Sequence, residues 1–243
     1  MPTRRFVIAS LAVVPLSACE TLDPTVLDGL IGGAGGANGT AGLSGAEVAL
    51  GLKAALDNGI GNALVNLGRL DGFLGDPTVR IPLPKTLRDV QSVLAPIGAD
   101  GLLVELQQQL NRGAEAAVPV AKDIFVDAVR GLTIQDAFAI LRGPATAATD
   151  YLQARTTDSL IQGFSPIMES ALANTGALRL VDQVSQQVPV GLVTGGTDLR
   201  TDLVRHGVEF GLKGVFHYIG EEEAAIRANP AKRTSEILRR VFS

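Results

Sequence analysis

LRTDLVRHGVEFGLKGVFHYI, residues 199–219, decides the fold. At 100° per residue, Leu199, Leu203 and Phe210 lie on one face, and Val204, Val208, Leu212, Val215 and Ile219 lie roughly opposite. Asp202, Arg205, Glu209 and Lys213 fill a narrow polar strip with opposite charges three and four positions apart. A helix that is apolar on two sides must be sandwiched between neighbours, so the pattern predicts layered helices. The strip marks the solvent edge, because exposed ion pairs contribute only a few tenths of a kcal/mol each.

Upstream, helical punctuation repeats. Ser44 with Glu47, Thr86 with Asp89 and Thr133 with Asp136 have the spacing of capping boxes. Leu102, Leu106 and Leu110 recur every fourth residue; Phe125, Ala128, Val129 and Leu132 form a stripe, as do Val181, Val184 and Val188. No stretch alternates with period two over the length of a strand. Asp76-Pro77 and Ile81-Pro82-Leu83-Pro84 cannot continue a helix, which places an extended connector near residues 76–84. The expected fold is all-α: a single multi-helix bundle with that proline-ruled connector and no substantial sheet. With 46% apolar but only 4% aromatic residues, its core is built from Ala, Leu, Val and Ile.

The other end of the chain carries an address. Arg4 and Arg5 precede a ten-residue apolar core, Phe6 to Pro15, too short to span a bilayer, which takes ~20 residues. Such a segment fits the core of a cleaved export signal. The run Leu16-Ser17-Ala18-Cys19 that follows resembles the lipobox of bacterial lipoproteins. That resemblance implies cleavage after residue 18 and a thioether-linked diacylglycerol on Cys19. A further acyl chain such as palmitate on its amine would make release from a membrane negligible, at ~0.8 kcal/mol per buried methylene. Competing readings are an ordinary secretory signal or an incidental buried thiol. Thr3-Arg4-Arg5-Phe6 leaves twin-arginine export open beside general secretion. Glu20 is not the aspartate that retains enteric-type lipoproteins at the inner membrane, so the resemblance implies the periplasmic face of the outer membrane.

Residues 19–43 then read as a lipidated N-terminus and tether, with glycines at 29, 32, 33, 35, 36, 39 and 42 and none of the Gly-Lys-Ser/Thr chemistry of a phosphate loop. Residues 44–243 form the expected helical domain. Without Arg4 and Arg5, 19 of the 21 basic residues remain against 25 acidic ones, a net charge of −6, which argues against nucleic acid as a partner. Cys19 is the sole cysteine, so once it is lipidated no thiol remains for a disulfide, a nucleophile or a zinc cluster.

Several stretches together are similar to one family. They are Gly51-Leu52-Lys53-Ala54-Ala55-Leu56, Asp71-Gly72-Phe73-Leu74 with Asp76-Pro77, Ile81-Pro82-Leu83-Pro84, Leu110-Asn111-Arg112 with Ala114-Glu115-Ala116, Ala148-Thr149-Asp150-Tyr151, and Asn229-Pro230-Ala231 with Arg233-Thr234. In order and spacing they resemble the bacterial envelope family catalogued as domain of unknown function 4197. The resemblance covers about Leu50 to Ser243 and implies a lipid-anchored or secreted helical protein, with no established activity to carry over.

The candidate site residues are polar groups set into alanine-rich helices. Asn111, Arg112 and Glu115 fall within one turn and Asp150, Tyr151 and Arg155 within another. Either the two turns face each other across a groove for a small polar or amphipathic ligand, or they form interhelical bridges, Arg112 to Asp150 or Glu115 to Arg155, that fix helix register. The bridges are the favoured reading. Glu115 and Asp150 would also serve as acid and base of a carboxylate-dependent hydrolase. His206 and His217, eleven residues apart on one helix, are ~16 Å apart along its axis and cannot share a metal ion. For His206, a hydrogen-bonded core position is favoured over a ligand or base. Glu221, Glu222 and Glu223 read as a solvated helix end. No metal site, cofactor or catalytic set is assigned. The expected partners are the membrane, through the lipid anchor, and an envelope protein or small ligand; a purely structural envelope role is the remaining alternative.

Overall fold

The computed structural model describes residues 44–173 and 199–228, which all fall within one compact unit. Among them are six α-helices and no strand: α1 (Gly45–Leu67), α2 (Lys85–Leu94), α3 (Gly101–Arg130), α4 (Ile134–Arg142), α5 (Ala147–Ala173) and α6 (Leu199–Ala228). The connector around 76–84 is non-helical, so both the all-α class and the break are as expected. The Val181, Val184 and Val188 stripe lies outside the described residues.

Two of the three capping boxes form. Ser44 accepts the Glu47 N–H at 3.3 Å and Thr133 the Asp136 N–H at 3.1 Å, with each acidic side chain reaching back to the cap N–H. The third does not. Pro84, with φ −51° and ψ 149°, occupies the cap position of α2, so Thr86 is already inside the helix and Asp89 pairs with Lys85 at 2.7 Å. The α3 stripe also shifts by one residue, since Leu103, Leu106 and Leu110 are buried whereas Leu102 is 43% exposed.

Helices α1, α3, α5 and α6 form the bundle. A Cβ added at Gly113 of α3 would lie 2.7 Å from Met168 Sδ, and one at Gly163 of α5 would lie 2.7 Å from Val120 Cγ1. Partner numbers fall as position numbers rise, so α3 and α5 are antiparallel. Gly207 of α6 would likewise meet the Met168 sulfur at 2.8 Å, so Met168 fills the space that two glycines leave between three helices. Val204, Val208, Leu212, Val215 and Ile219 are all buried, as is Leu203 on the opposite side. Helix α6 is thus apolar on two faces because α5 covers one region of it and α1 and α3 cover others.

Candidate functional site

The connector, residues 68–84, is held against α3 and α6 by apolar plugs and directed polar contacts. Phe73, Val79, Ile81 and Leu83 are buried. Gly214 makes room for two of them: a Cβ there would lie 2.7 Å from Phe73 Cε1 and 3.1 Å from Val79 Cβ. Turns in the connector pair part of its backbone internally, as the Gly75 N–H with the Asp71 carbonyl and the Arg80 N–H with the Asp76 carbonyl, and side chains of the neighbouring helices pair more of it. Glu115 Oε1 accepts the Phe73 and Leu74 N–H groups at 3.1 and 3.3 Å. Asn111 treats Ile81 as a strand partner would, accepting its N–H at 2.8 Å and donating to its carbonyl at 3.0 Å. His206 Nε2 lies 2.7 Å from the Pro82 carbonyl oxygen; that oxygen only accepts, so Nε2 carries the hydrogen.

Arg112 joins this cluster to the surface. Its Nη1 donates to Glu115 Oε2 at 2.6 Å and its Nη2 to Asp71 Oδ1 at 2.7 Å. The hydrogen bond it donates to Glu115, more than that to Asp71, holds the guanidinium protonated above its ordinary range. Asp71 adopts a left-handed backbone, φ 63°, which aspartate tolerates better than most residues because its short polar side chain bonds locally. Beyond Asp71 opens a cleft of about 730 Å³, lined by Asn66, Arg69, Leu70, Asp71, the 72–77 turn and Tyr218. The Tyr218 hydroxyl donates to Asp76 Oδ2, and the Thr78 N–H donates to Asp76 Oδ1 at 2.9 Å. These bonds, the tyrosine's first, hold the Asp76 carboxyl below the usual range, and the same contact pushes the Tyr218 hydroxyl up.

The second polar turn lies elsewhere. With Gly113 opposite Met168 in an antiparallel pair, Asp150 is ~25 Å farther along the axis from the Arg112–Glu115 turn. The two turns therefore do not face each other, and neither Arg112–Asp150 nor Glu115–Arg155 forms a bridge. Asp150 accepts from the Thr146 hydroxyl at 3.0 Å. The Arg155 guanidinium sits 5.3 Å over the Tyr151 ring, and both line a separate groove of about 340 Å³ with Ile124 and Asp127. The Tyr151 hydroxyl reaches Asp136 at 3.5 Å, and burial raises its pKa.

Glu223 is the other departure from expectation. It is buried, not solvated, and caps α5 from α6: Oε1 accepts the Ala148 N–H at 3.0 Å, and Oε2 the Thr149 N–H and hydroxyl at 2.8 Å each. The first N–H groups of a helix have no partner within it, and a carboxylate there also meets the positive end of the helix dipole. Arg227 completes the cluster, donating to Glu223 at 2.8 Å and to the Ile140 carbonyl at 3.0 Å.

The stretches Asp71–Leu74, Asp76-Pro77, Ile81–Pro84 and Asn111–Glu115, dispersed in sequence, thus meet at one junction. A family model described as protein of unknown function (DUF4197) matches residues 42–243. The chain belongs to that family. The match spans the whole described DUF4197 bundle, including the connector junction, the cleft and the Glu223 cap. No curated protein and no solved structure matches the chain. Among the described residues, no group of three or more His, Cys, Asp or Glu side chains is placed to hold a metal ion, and no helix is long and apolar enough to cross a membrane.

Proposed function

We propose that this DUF4197 protein is a lipid-anchored module on the periplasmic face of the outer membrane that works by binding a small ligand in the connector cleft. The cleft carries the reading. Its volume of about 730 Å³ falls in the range of ligand sites, and polar side chains from α1, the connector and α6 converge on it. Binding fits the electrostatics better than acid catalysis, because the Asp76 carboxyl is held low, opposite to what a general acid requires. Glu115 and Asp150, the pair a carboxylate-dependent hydrolase would use, serve separate structural contacts ~25 Å apart.

The anchor is Cys19, acylated after removal of residues 1–18. Two measurements test the proposal. Radiolabelled palmitate is expected on the wild type and absent from Cys19→Ser, with globomycin causing the precursor to accumulate; an unlabelled, normally processed wild type contradicts anchoring. Native mass spectrometry of the protein extracted from its own envelope is expected to show a retained small mass, and a bare chain contradicts binding.

A structural envelope role is favoured by one observation. Val93, Ile97, Leu102 and Val104 are 72, 75, 43 and 48% exposed at the end of the bundle where α3 begins. Loss of envelope integrity on replacing these four by serine, with the cleft intact, would move the function there.

A further inference from the structure

The charges of the cleft narrow its ligand, on the reading that the cleft is a binding site. Three of its polar groups are already engaged: Asp76 by Tyr218 and Thr78, Tyr218 by Asp76, and one Asp71 oxygen by Arg112. Two groups of opposite charge are not. The Arg69 guanidinium is exposed and has no partner among the described residues, although it is two residues from Asp71 and lines the same cleft. Asp71 uses Oδ1 for Arg112, which leaves Oδ2 as an acceptor on a side chain 54% exposed.

A purely anionic ligand would meet Asp71 and Asp76, and a purely cationic one would meet Arg69. A neutral polyol would leave the guanidinium without a counter-charge. Only a molecule carrying both charges finds a partner for each, and the volume accommodates more than a single amino acid. The left-handed backbone of Asp71 fits this reading, because strained residues persist where surrounding contacts fix them and recur at ligand sites. We infer that the cleft binds a zwitterionic amino-acid or short-peptide ligand, its carboxylate on Arg69 and its ammonium on Asp71.

The test is a nuclear magnetic resonance titration of the full protein with trialanine. The inference expects saturable shifts of the Asn66, Arg69, Asp71 and Tyr218 amides. Acetylating the amine or amidating the carboxylate should each weaken binding about tenfold, the value of one charge-assisted pair. Arg69→Gln should weaken trialanine by a similar factor without changing the melting temperature. Asp71→Asn, which keeps an acceptor for Arg112 and so the fold, should weaken trialanine by a similar factor. Arg155→Gln, in the other groove, should bind as the wild type does. No shifts at millimolar trialanine, equal binding of doubly blocked trialanine, or cleft shifts with maltose but not trialanine would each overturn it. A small mass retained in the native spectrum alongside such a failure would leave the binding reading standing and discard only the ligand class.

Discussion

Glu115 and Glu223 are the same device used in two places. Each is a buried carboxylate that accepts two consecutive backbone N–H groups from another segment and pairs with an arginine on its own helix, Arg112 three residues before or Arg227 four after. They differ in where the arginine's second contact goes. Arg227 also donates to the Ile140 carbonyl, a main-chain group of a third helix, and the cavity adjoining that cluster is only about 20 Å³. Arg112 ends on Asp71, a half-exposed carboxylate at the rim of the large cleft. One cluster fastens three helices, α4, α5 and α6; the other fastens a connector and shapes a surface. The function proposed for the protein rests on that difference.

The Glu223 cluster should be the costlier to break. Glu223→Ala leaves two buried N–H groups and a largely buried arginine without their partner, for an expected loss of about 4 kcal/mol in urea unfolding. Glu115→Ala should cost less, about 3 kcal/mol, because Arg112 keeps the Asp71 carboxylate, whereas Glu223→Ala also leaves the buried Thr149 hydroxyl without its acceptor. Gly214→Ala probes the apolar side of the connector: the new methyl would press on Phe73 and Val79, and about 2 kcal/mol of destabilisation is expected.

A gentler perturbation is pH. Burial lowers the His206 pKa below its ordinary 6.5, with the Pro82 hydrogen bond and Glu209 acting against that and Arg88 with it. The unfolded chain therefore takes up the proton first, so the contribution of His206 is fully present above about 6.5 and declines as pH falls through the lower folded value. Melting temperature should drop on going from pH 7 to pH 5, and His206→Gln, which still donates to Pro82, should flatten that slope. The smallest effect belongs to the exposed pair Lys85–Asp89, where Lys85→Ala should change stability by less than about 0.5 kcal/mol.

The sequence made the helices legible where a pattern is local. Ser44 and Thr133 announced their caps, and the double face of 199–219 announced a sandwiched helix. Thr86 misled because cap spacing says nothing about Pro84, which fixes the backbone two residues earlier. Leu102 misled because i+4 spacing fits two neighbouring stripes, and only packing chooses between Leu102 and Leu103. In the site, Asn111, Arg112 and Glu115 stood out as polar groups in an apolar helix, but their partners lie 30 to 42 positions away in chain order on a connector with no periodicity. Glu223 was hidden among three consecutive glutamates, a local pattern of solvated ends. Its burial depends on the start of α5 lying beside it, 75 positions earlier. Arg69 and Tyr218, which complete the cleft, carry no motif at all.

Native-state hydrogen exchange, compared across wild type, Glu115→Ala and Glu223→Ala, tests most directly the claim that two independent carboxylate clamps divide these tasks. The account predicts protected Phe73 and Leu74 amides in the wild type, a selective loss of that protection in Glu115→Ala with Ala148 and Thr149 unaffected, and the reverse selectivity in Glu223→Ala. Fast exchange of Phe73 and Leu74 in the wild type, or the same pattern of loss in both variants, would contradict it.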